Sequence, residues 1–217
     1  MKQQNIQIEI SESIGYVSAE IITGERVNAV MTLAHGAGAG MHHSFMVGLA
    51  EALATAGIAT LRFNFPYMEQ NKKRPDVPAV AHKTVEVAIE QAQKLFPDIP
   101  LFVSGKSFGG RMSSQYIATH PYSFVRGLVF FGFPLHPAGK PAVDRAAHLK
   151  NINVPMLFLQ GTRDALAEWS LIENVTSELA HATLLKLDGA DHSFKTGKKN
   201  LIPVLAEATR DWIASVM

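Results

Sequence analysis

The chain has 217 residues, with 20 Lys and Arg against 19 Asp and Glu, so its formal net charge at pH 7 is +1. This balance creates no field that would favour a nucleic acid or a membrane as a partner. With 47% hydrophobic and 18% charged residues, the composition excludes a disordered chain. At about 150 residues per domain, the length predicts one domain spanning residues 1–217.

Cysteine and long apolar segments are both absent from the sequence. Without cysteine there is no disulfide, thiolate metal ligand or thiol nucleophile, so a covalent catalyst must be an oxygen or nitrogen group. No run approaches about 18 apolar residues, and the first residues, MKQQNIQIEI, lack the apolar stretch of a secretory signal. We therefore expect a cytoplasmic protein.

The first 34 residues predict strands, and from residue 28 onward strands alternate with helices. The predicted strands are NIQIEI, YVSAEII, NAVMTLA, ATLRFNF, IPLFVS, residues 127–131, residues 154–159 and ATLLKLD. The predicted helices cover residues 44–56, 85–96, 108–119, 166–179 and 201–212, and Ser44 is the expected cap of the first. This alternation indicates parallel strands joined by right-handed crossovers, with helices on both faces of one sheet.

A serine between two glycines, in Gly105-Lys106-Ser107-Phe108-Gly109, stands between a predicted strand and a predicted helix. This is the context of a nucleophile elbow, a strained turn that exposes the serine hydroxyl above the sheet. The neighbouring positions must lack side chains so that the strand and the helix can approach each other. Gly105 and Gly109 meet that need, and Gly110 extends the close packing.

A serine hydroxyl needs a positioned base, and the base needs a third group that orients it. His192 in LDGADHSF and Asp164 in QGTRD each follow a predicted strand, at the sheet edge where open α/β sheets place their sites. The order Ser107, Asp164, His192 is that of nucleophile-elbow hydrolases. Asp191 adjoins His192 in sequence and is therefore poorly placed to bond its ring. The alternative acids are Asp191, Asp188 and Glu168.

Each of these residues also has a purely structural interpretation. Ser107 fits a tight structural turn, His192 fits a hydrogen-bonded surface histidine, and Asp164 fits a cap for a helix that begins near Ala165. Their joint occurrence favours the catalytic interpretation.

The glycine-rich segment His35-Gly36-Ala37-Gly38-Ala39-Gly40 follows the third predicted strand and could supply an oxyanion hole. Backbone N–H groups in such a hole contribute roughly 3 to 4 kcal/mol each to transition-state stabilisation. We expect one N–H from Phe108, the residue after the nucleophile, and the other from Ala37 or Gly38.

The sequence does not favour a nucleotide phosphate or a metal ion as a ligand. A phosphate-binding loop would need glycine five positions before Gly105, where the sequence has Pro100. His35, His42 and His43 show no recognisable metal-ligand spacing, so we expect neither a metal nor a cofactor. We interpret His35 as part of the loop scaffold.

The chain resembles a minimal α/β-hydrolase, and it is similar to small dienelactone-hydrolase-like proteins and predicted esterases. By count of predicted strands, Ser107 follows the fifth, Asp164 the seventh and His192 the eighth, as in that family. The strings LAHGAGAG, GKSFGGRM, FFGFPLHP and GADHSF also resemble a subgroup with bacterial predicted hydrolases and a domain of a eukaryotic chromatin-complex subunit. Dienelactone hydrolases use a cysteine nucleophile, so their substrate is not carried over to this chain.

The resemblance implies a mostly parallel eight-stranded sheet and a serine hydrolase acting on a small ester, thioester or activated amide. The alternative is a noncatalytic α/β-hydrolase fold that serves as a binding module. Only some twenty residues separate the sixth strand from Val154, too few for a helical lid, so we expect an open site for a small-molecule substrate. The candidate substrate-binding residues are Gly38, Tyr67, Met68, Arg111, Phe133 and Leu135. The oligomeric state is not predicted.

Overall fold

An eight-stranded sheet forms the centre of the computed structural model, which describes residues 1–217. Its strands are β1 (Lys2–Ser11), β2 (Gly15–Thr23), β3 (Ala29–Ala34), β4 (Ile58–Phe63), β5 (Leu101–Lys106), β6 (Val125–Phe131), β7 (Met156–Gly161) and β8 (Ala182–Leu187). Across the sheet the order is β1-β2-β4-β3-β5-β6-β7-β8. The pairs β1–β2 and β2–β4 are antiparallel and the others are parallel. The predicted mostly parallel α/β sheet is confirmed.

Helices cover both faces of this sheet. They are α1 (Ser44–Thr55), α2 (Pro66–Glu69), α3 (Pro78–Leu95), α4 (Phe108–Ile117), α5 (Trp169–Ser177) and α6 (Ile202–Val216). Helices α1 and α6 contribute to an apolar cluster on one face, and α3, α4 and α5 contribute to a larger cluster on the other. Within β5, Leu101 and Val103 belong to the larger cluster and Phe102 to the smaller one. Burial on both faces explains why the central strands are continuous apolar runs.

Several helix boundaries differ from the prediction. Helix α1 begins at Ser44, but its cap is His43, whose Nδ1 accepts the N–H of Phe45 at 3.2 Å. Helix α3 begins at Pro78, seven residues before the predicted apolar face, since proline is compatible with the first turn of a helix. Helix α5 is shorter than predicted because the residues before Trp169 form a turn.

The segment between β6 and β7 and the connection from β4 to α3 contain little regular structure. Between β6 and β7 there are only two short 3₁₀ turns, Asp144–Ala146 and Leu149–Asn151, so no helical lid covers the sheet edge, as predicted. The basic run at residues 72–74, between α2 and α3, is exposed. None of the helices combines the length and the apolar character that a bilayer crossing requires.

A short hairpin that the sequence analysis did not predict follows β8. Its strands, β9 (Lys195–Thr196) and β10 (Lys199–Asn200), are two residues long and pair in antiparallel fashion. Two-residue strands carry no hydrophobic periodicity, which explains the omission.

Candidate active site

Ser107 occupies the sharp turn between β5 and α4. Its φ is 50° and its ψ is −114°, a conformation that few residues other than glycine adopt. Backbone strain of this kind costs about 1–3 kcal/mol and persists only where the surroundings impose it. The predicted nucleophile-elbow geometry is therefore present at Ser107.

The glycines around Ser107 permit the close approach of α4 to the sheet. A Cβ at Gly109 would lie 2.5 Å from the carbonyl oxygen of Ala34 in β3. A Cβ at Gly105 would overlap the backbone nitrogen of Gly110. Any side chain at these two positions would push the helix away from the strands and displace Ser107.

The histidine and the aspartate reach Ser107 from the ends of two neighbouring strands. The Nε2 atom of His192 lies 2.8 Å from Ser107 Oγ, and its Nδ1 atom lies 2.7 Å from Asp164 Oδ2. The loops that carry them are joined by the N–H of Arg163, which donates to the carbonyl of Ala190 at 2.9 Å. Three residues distant in sequence thus form one continuous hydrogen-bonded chain.

Asp164 has the partners expected of an ionised carboxylate. Its side chain is only 1% exposed, and its Oδ2 atom also accepts a hydrogen bond from Gln160 Nε2 at 2.6 Å. The Oδ1 atom accepts the N–H of Leu166 at 2.8 Å. Asp164 therefore stabilises the turn after β7 with one oxygen and contacts His192 with the other, but it caps no helix, because α5 begins only at Trp169.

Gln160 extends this network into the sheet. Its Oε1 atom accepts the N–H of Phe133, the second residue beyond β6, at 2.9 Å. Since a carboxylate can only accept, the amide nitrogen of Gln160 must face Asp164. Gln160 is completely buried, so the orientation of the carboxylate is linked to the backbone of two strands.

The alternative acids have other roles. Asp191 Oδ1 accepts the N–H groups of Ser193 and Lys195, at 2.8 and 2.9 Å, and so shapes the loop that carries the histidine. Asp188 forms an ion pair with Lys186 at 3.3 Å. Asp164 is the acid that contacts His192.

The glycine-rich loop passes directly beside the nucleophile. A Cβ at Gly36 would lie 3.7 Å from Ser107 Cβ. The loop is supported from below by His35, which is completely buried. The Nδ1 atom of His35 donates to the carbonyl of Gly36 at 2.8 Å, and its Nε2 atom accepts the N–H of Phe65 at 3.0 Å. Burial lowers the pKa of His35 to about 4, which keeps the ring neutral and able to accept.

Backbone donors without an acceptor in the protein lie beside Ser107 in the glycine-rich loop. The N–H groups of Ala37 and Gly38 make no intramolecular hydrogen bond, and that of Phe108, in the first turn of α4, has no partner within the helix. The sequence predicts Phe108 and one of these two loop residues as the donors of an oxyanion hole.

Lys106, the residue before the nucleophile, contacts the histidine loop. Its Nζ atom donates to the carbonyl oxygen of His192 at 2.6 Å and lies 5.2 Å from the ring centroid of Phe194. Burial lowers the pKa of Lys106 to about 8, although the nearby carboxylates of Asp164 and Asp191 oppose this shift. Lys106 therefore ties the backbone of His192 to the turn that carries Ser107.

An open cleft with a volume of about 670 Å³ contains Ser107 and His192. One part of its wall is the glycine-rich loop, including Ala37 and Gly38. Other lining residues that the sequence does not predict include apolar Phe45, Met46, Phe194, Leu201 and Ile202 and basic Lys106, Lys195 and Lys199. Most of these lie in the unpredicted hairpin or in the helices next to it. The one available signal was proximity to the motifs, since Lys106 and Phe194 stand next to or near Ser107 and His192 in sequence.

Of the six predicted substrate-binding residues, only Gly38 lines this cleft. The prediction that Tyr67, Phe133 and Leu135 form its walls is wrong, because each is at most 1% exposed within the larger apolar cluster. Tyr67 instead supports the glycine-rich loop, and its hydroxyl donates to Gly36 at 3.4 Å.

Met68 and Arg111 also lie away from the cleft wall. Met68 packs against the larger apolar cluster below the glycine-rich loop. Arg111 is half-buried on α4, where its Nε atom has no hydrogen-bond partner. Burial, together with the charge of Arg145, lowers the pKa of Arg111.

The histidines considered as metal ligands do not converge. His35 is buried under the glycine-rich loop, whereas His42 and His43 are exposed at the start of α1. The structure contains no group of three or more His, Asp or Glu side chains arranged to hold a metal ion.

Comparisons with known proteins agree with this architecture. A family described as "Alpha/beta hydrolase domain" matches residues 27–212. A proline iminopeptidase from Thermoplasma volcanium is 26% identical over 121 residues, which cover 54% of this chain and 39% of that protein. The chain thus spans well under half of the length of that curated relative.

Solved structures share the fold over nearly the whole chain. An α/β serine hydrolase without lid from Xanthomonas campestris has a TM-score of 0.76 and 20% identity, covering 98% of this chain and 95% of that one. A dienelactone hydrolase from Anabaena variabilis has a TM-score of 0.78 and 17% identity, covering 100% and 98%. At these identities the likeness concerns the fold, while the match over residues 27–212 shows that the chain belongs to the α/β-hydrolase family.

Proposed function

We propose that this protein is a serine hydrolase that cleaves a small ester, thioester or activated amide through a covalent acyl-enzyme. The observation that carries the proposal is the hydrogen-bonded chain from Ser107 Oγ to His192 (2.8 Å) and from His192 to Asp164 (2.7 Å). A hydroxyl is a weak nucleophile at neutral pH, and a histidine within hydrogen-bond reach is the group that activates it. A serine with a purely structural role would need neither partner.

In the first step, Ser107 Oγ attacks the carbonyl carbon of the substrate while His192 Nε2 removes the hydroxyl proton. Asp164 accepts a hydrogen bond from Nδ1–H, which fixes the tautomer that leaves Nε2 free to act as a base. The buried carboxylate also stabilises the imidazolium that forms.

The attack turns the carbonyl oxygen into an oxyanion. We assign its stabilisation to the N–H groups of Phe108, which has no partner within its helix, and of Ala37, which makes no hydrogen bond inside the protein; the N–H of Gly38 is the alternative loop donor. Preorganised donors of this kind are effective because no reorganisation occurs during the reaction.

Collapse of the tetrahedral intermediate breaks the bond to the leaving group, which takes the proton from His192. The acyl group is then held as an ester on Ser107. A water molecule attacks this ester while His192 accepts its proton, and collapse of the second intermediate returns that proton to Ser107 and releases the acid. Apart from the substrate and this water molecule, the steps use side chains and backbone groups of the chain itself.

A fluorophosphonate probe tests whether Ser107 is activated. We expect stoichiometric labelling of the wild-type protein near pH 8, with the phosphonyl group located on Ser107 by peptide mass spectrometry. Ser107→Ala should abolish labelling. Ser193→Ala, which removes a neighbouring exposed hydroxyl with no side-chain hydrogen bond, should leave labelling intact.

The same experiment distinguishes the hydrolase from a noncatalytic binding module. Absence of labelling in a folded wild-type protein would contradict the proposal and favour the binding module. If labelling occurs, steady-state hydrolysis of short-chain 4-nitrophenyl esters then measures turnover.

A further inference from the structure

The cleft beside Ser107 has an uneven distribution of charge. Its lining includes Lys106, Lys195 and Lys199 and contains no Asp or Glu. The whole chain has almost equal numbers of basic and acidic residues, so three lysines without an acid depart from its average. The side chains of Lys195 and Lys199 take part in no ion pair and no hydrogen bond.

The nearest carboxylates do not neutralise these lysines at the cleft surface. Asp164 lies behind His192 and is engaged there. Asp191 accepts two backbone N–H groups within its own loop and is not part of the lining. The cleft therefore presents positive charge to an incoming ligand.

An apolar wall lies next to the lysines. The rings of Phe45 and Phe194 are stacked, with centroids 5.6 Å apart and an interplanar angle of 11°. Phe194 is followed directly by Lys195, so the apolar wall and the first hairpin lysine are neighbours in the chain. At the other end of the hairpin, Leu201 and Ile202 extend the apolar wall.

From this arrangement we infer that the cleft selects substrates that carry an anionic group, such as a carboxylate or a phosphate, joined to a short apolar segment. The inference rests on the proposed function and specifies the substrate class of the same site. Lys195 and Lys199 attract the anion, and the Phe45–Phe194 wall contacts the apolar segment. Lys106 has a different role, because its ammonium group is already bonded to the carbonyl of His192.

Three chromogenic esters, one of them a neutral reference, test this inference. The reference is 4-nitrophenyl hexanoate, which is neutral. The mono-4-nitrophenyl ester of adipate places a carboxylate at the end of the acyl chain, and 3-carboxy-4-nitrophenyl hexanoate places it on the leaving group. Each is measured as kcat/KM, corrected for spontaneous hydrolysis, with the wild type and with the double variant K195Q/K199Q.

Exposed charge pairs contribute little individually, so both lysines are replaced together. We expect the double variant to lose about tenfold in kcat/KM on at least one anionic ester. The loss on the neutral ester should be less than twofold. The matched control is Lys198→Gln, which removes the same charge from the turn of the same hairpin but lies outside the lining. It should change all three values by less than twofold. For the wild type, the ratio of kcat/KM on the anionic esters to kcat/KM on the neutral ester should also fall as ionic strength rises from about 0.02 to about 0.5 M.

The outcomes separate the two proposals. If Ser107 is labelled and hexanoate is hydrolysed, but the double variant affects charged and neutral esters equally, this inference is wrong and the serine hydrolase stands. An equal effect of Lys198→Gln would also overturn it, because the attraction would then be a general property of the hairpin. If no ester is hydrolysed and Ser107 is not labelled, both proposals fail.

Discussion

The two sides of the cleft are built in different ways. On the inner side, Ser107, His192 and Asp164 follow three strands of the sheet, and each position is fixed by buried partners such as Gln160. On the outer side, the β9–β10 hairpin has two-residue strands and mostly exposed side chains. The groups proposed for bond breaking are therefore held by the core, whereas the groups proposed for selectivity lie on a segment with few constraints.

This difference has a physical reason. Acyl transfer requires atoms to be placed to within a fraction of an ångström, which only a packed scaffold provides. Attraction of a charged group acts over several ångströms and tolerates mobile side chains. A small hairpin is sufficient for the second task and can vary without disturbing the first.

The largest effect on activity is expected when the carboxylate of the inner side, that of Asp164, is replaced by an amide. Asp164→Asn should lower kcat on 4-nitrophenyl hexanoate by about 10⁴-fold, because the amide stabilises the wrong histidine tautomer. Asp191→Asn is the matched control: it keeps an acceptor oxygen for the two loop N–H groups and should cost less than tenfold. Equal losses in the two variants would show that Asp164 has no special role.

A smaller effect, on the free energy of unfolding, is expected from a glycine-to-alanine substitution on each side, which adds one methyl group there. Gly109→Ala should lower the free energy of unfolding by about 3 kcal/mol, since its Cβ would meet the backbone of β3. Gly197→Ala, at the hairpin turn, has open space around its Cβ and only the cost of a positive φ of 59°. We expect about 1 kcal/mol there.

Urea denaturation measures both values, and the activity of the two variants completes the comparison. Gly109→Ala should also reduce turnover, because Ser107 moves with α4, whereas Gly197→Ala should not alter hydrolysis of the neutral ester. A Gly109→Ala protein with wild-type stability would contradict the close approach of α4 to β3.

Lys106 lies at the junction of the two sides, and its contribution to stability depends on pH. The folded-state pKa of Lys106, about 8, lies below the ordinary value of 10.5, so the unfolded chain binds more protons between these pH values. Wild-type stability should therefore rise with pH across this window, relative to a variant without an amine. We expect the difference in unfolding free energy between the wild type and Lys106→Met to shift by about 2 kcal/mol in favour of the wild type from pH 7 to pH 10.

Lys106→Gln provides a second reference for this measurement, because it also lacks a titrating group but retains an amide donor. Both variants should give the same pH dependence in urea denaturation, although their stabilities at pH 7 differ. A difference that stays constant with pH would show that the Lys106 ammonium is not appreciably desolvated.

The inner side could be predicted from the sequence in detail. The strand and helix patterns placed Ser107, Asp164 and His192 after the fifth, seventh and eighth strands, where the structure has them. Local signals were sufficient because the elbow needs glycines at fixed positions and buried strands need continuous apolar runs. The family match over residues 27–212 agrees with the predicted fold.

The outer side could not be predicted, and the reason is a lack of local pattern. Tyr67, Phe133 and Leu135 are large apolar residues outside the predicted strands and helices, a position that fits a cleft wall, but such residues also fill cores, as these three do. The residues that do line the cleft are brought there by the packing of α1 against α6 and by a hairpin too short to leave a periodic signal. Which residues face a cleft is a tertiary property.

The hydrogen bond from the N–H of Phe133 to Gln160 restricts where additional residues could be inserted into this chain after β6. It anchors the polypeptide immediately after β6, at the base of the segment where a covering domain would have to be inserted. Extra residues placed beyond that anchor could extend over the sheet edge and leave the carboxylate undisturbed. An insertion before it would detach Gln160 from its backbone partner and allow Asp164 to rotate away from the imidazole.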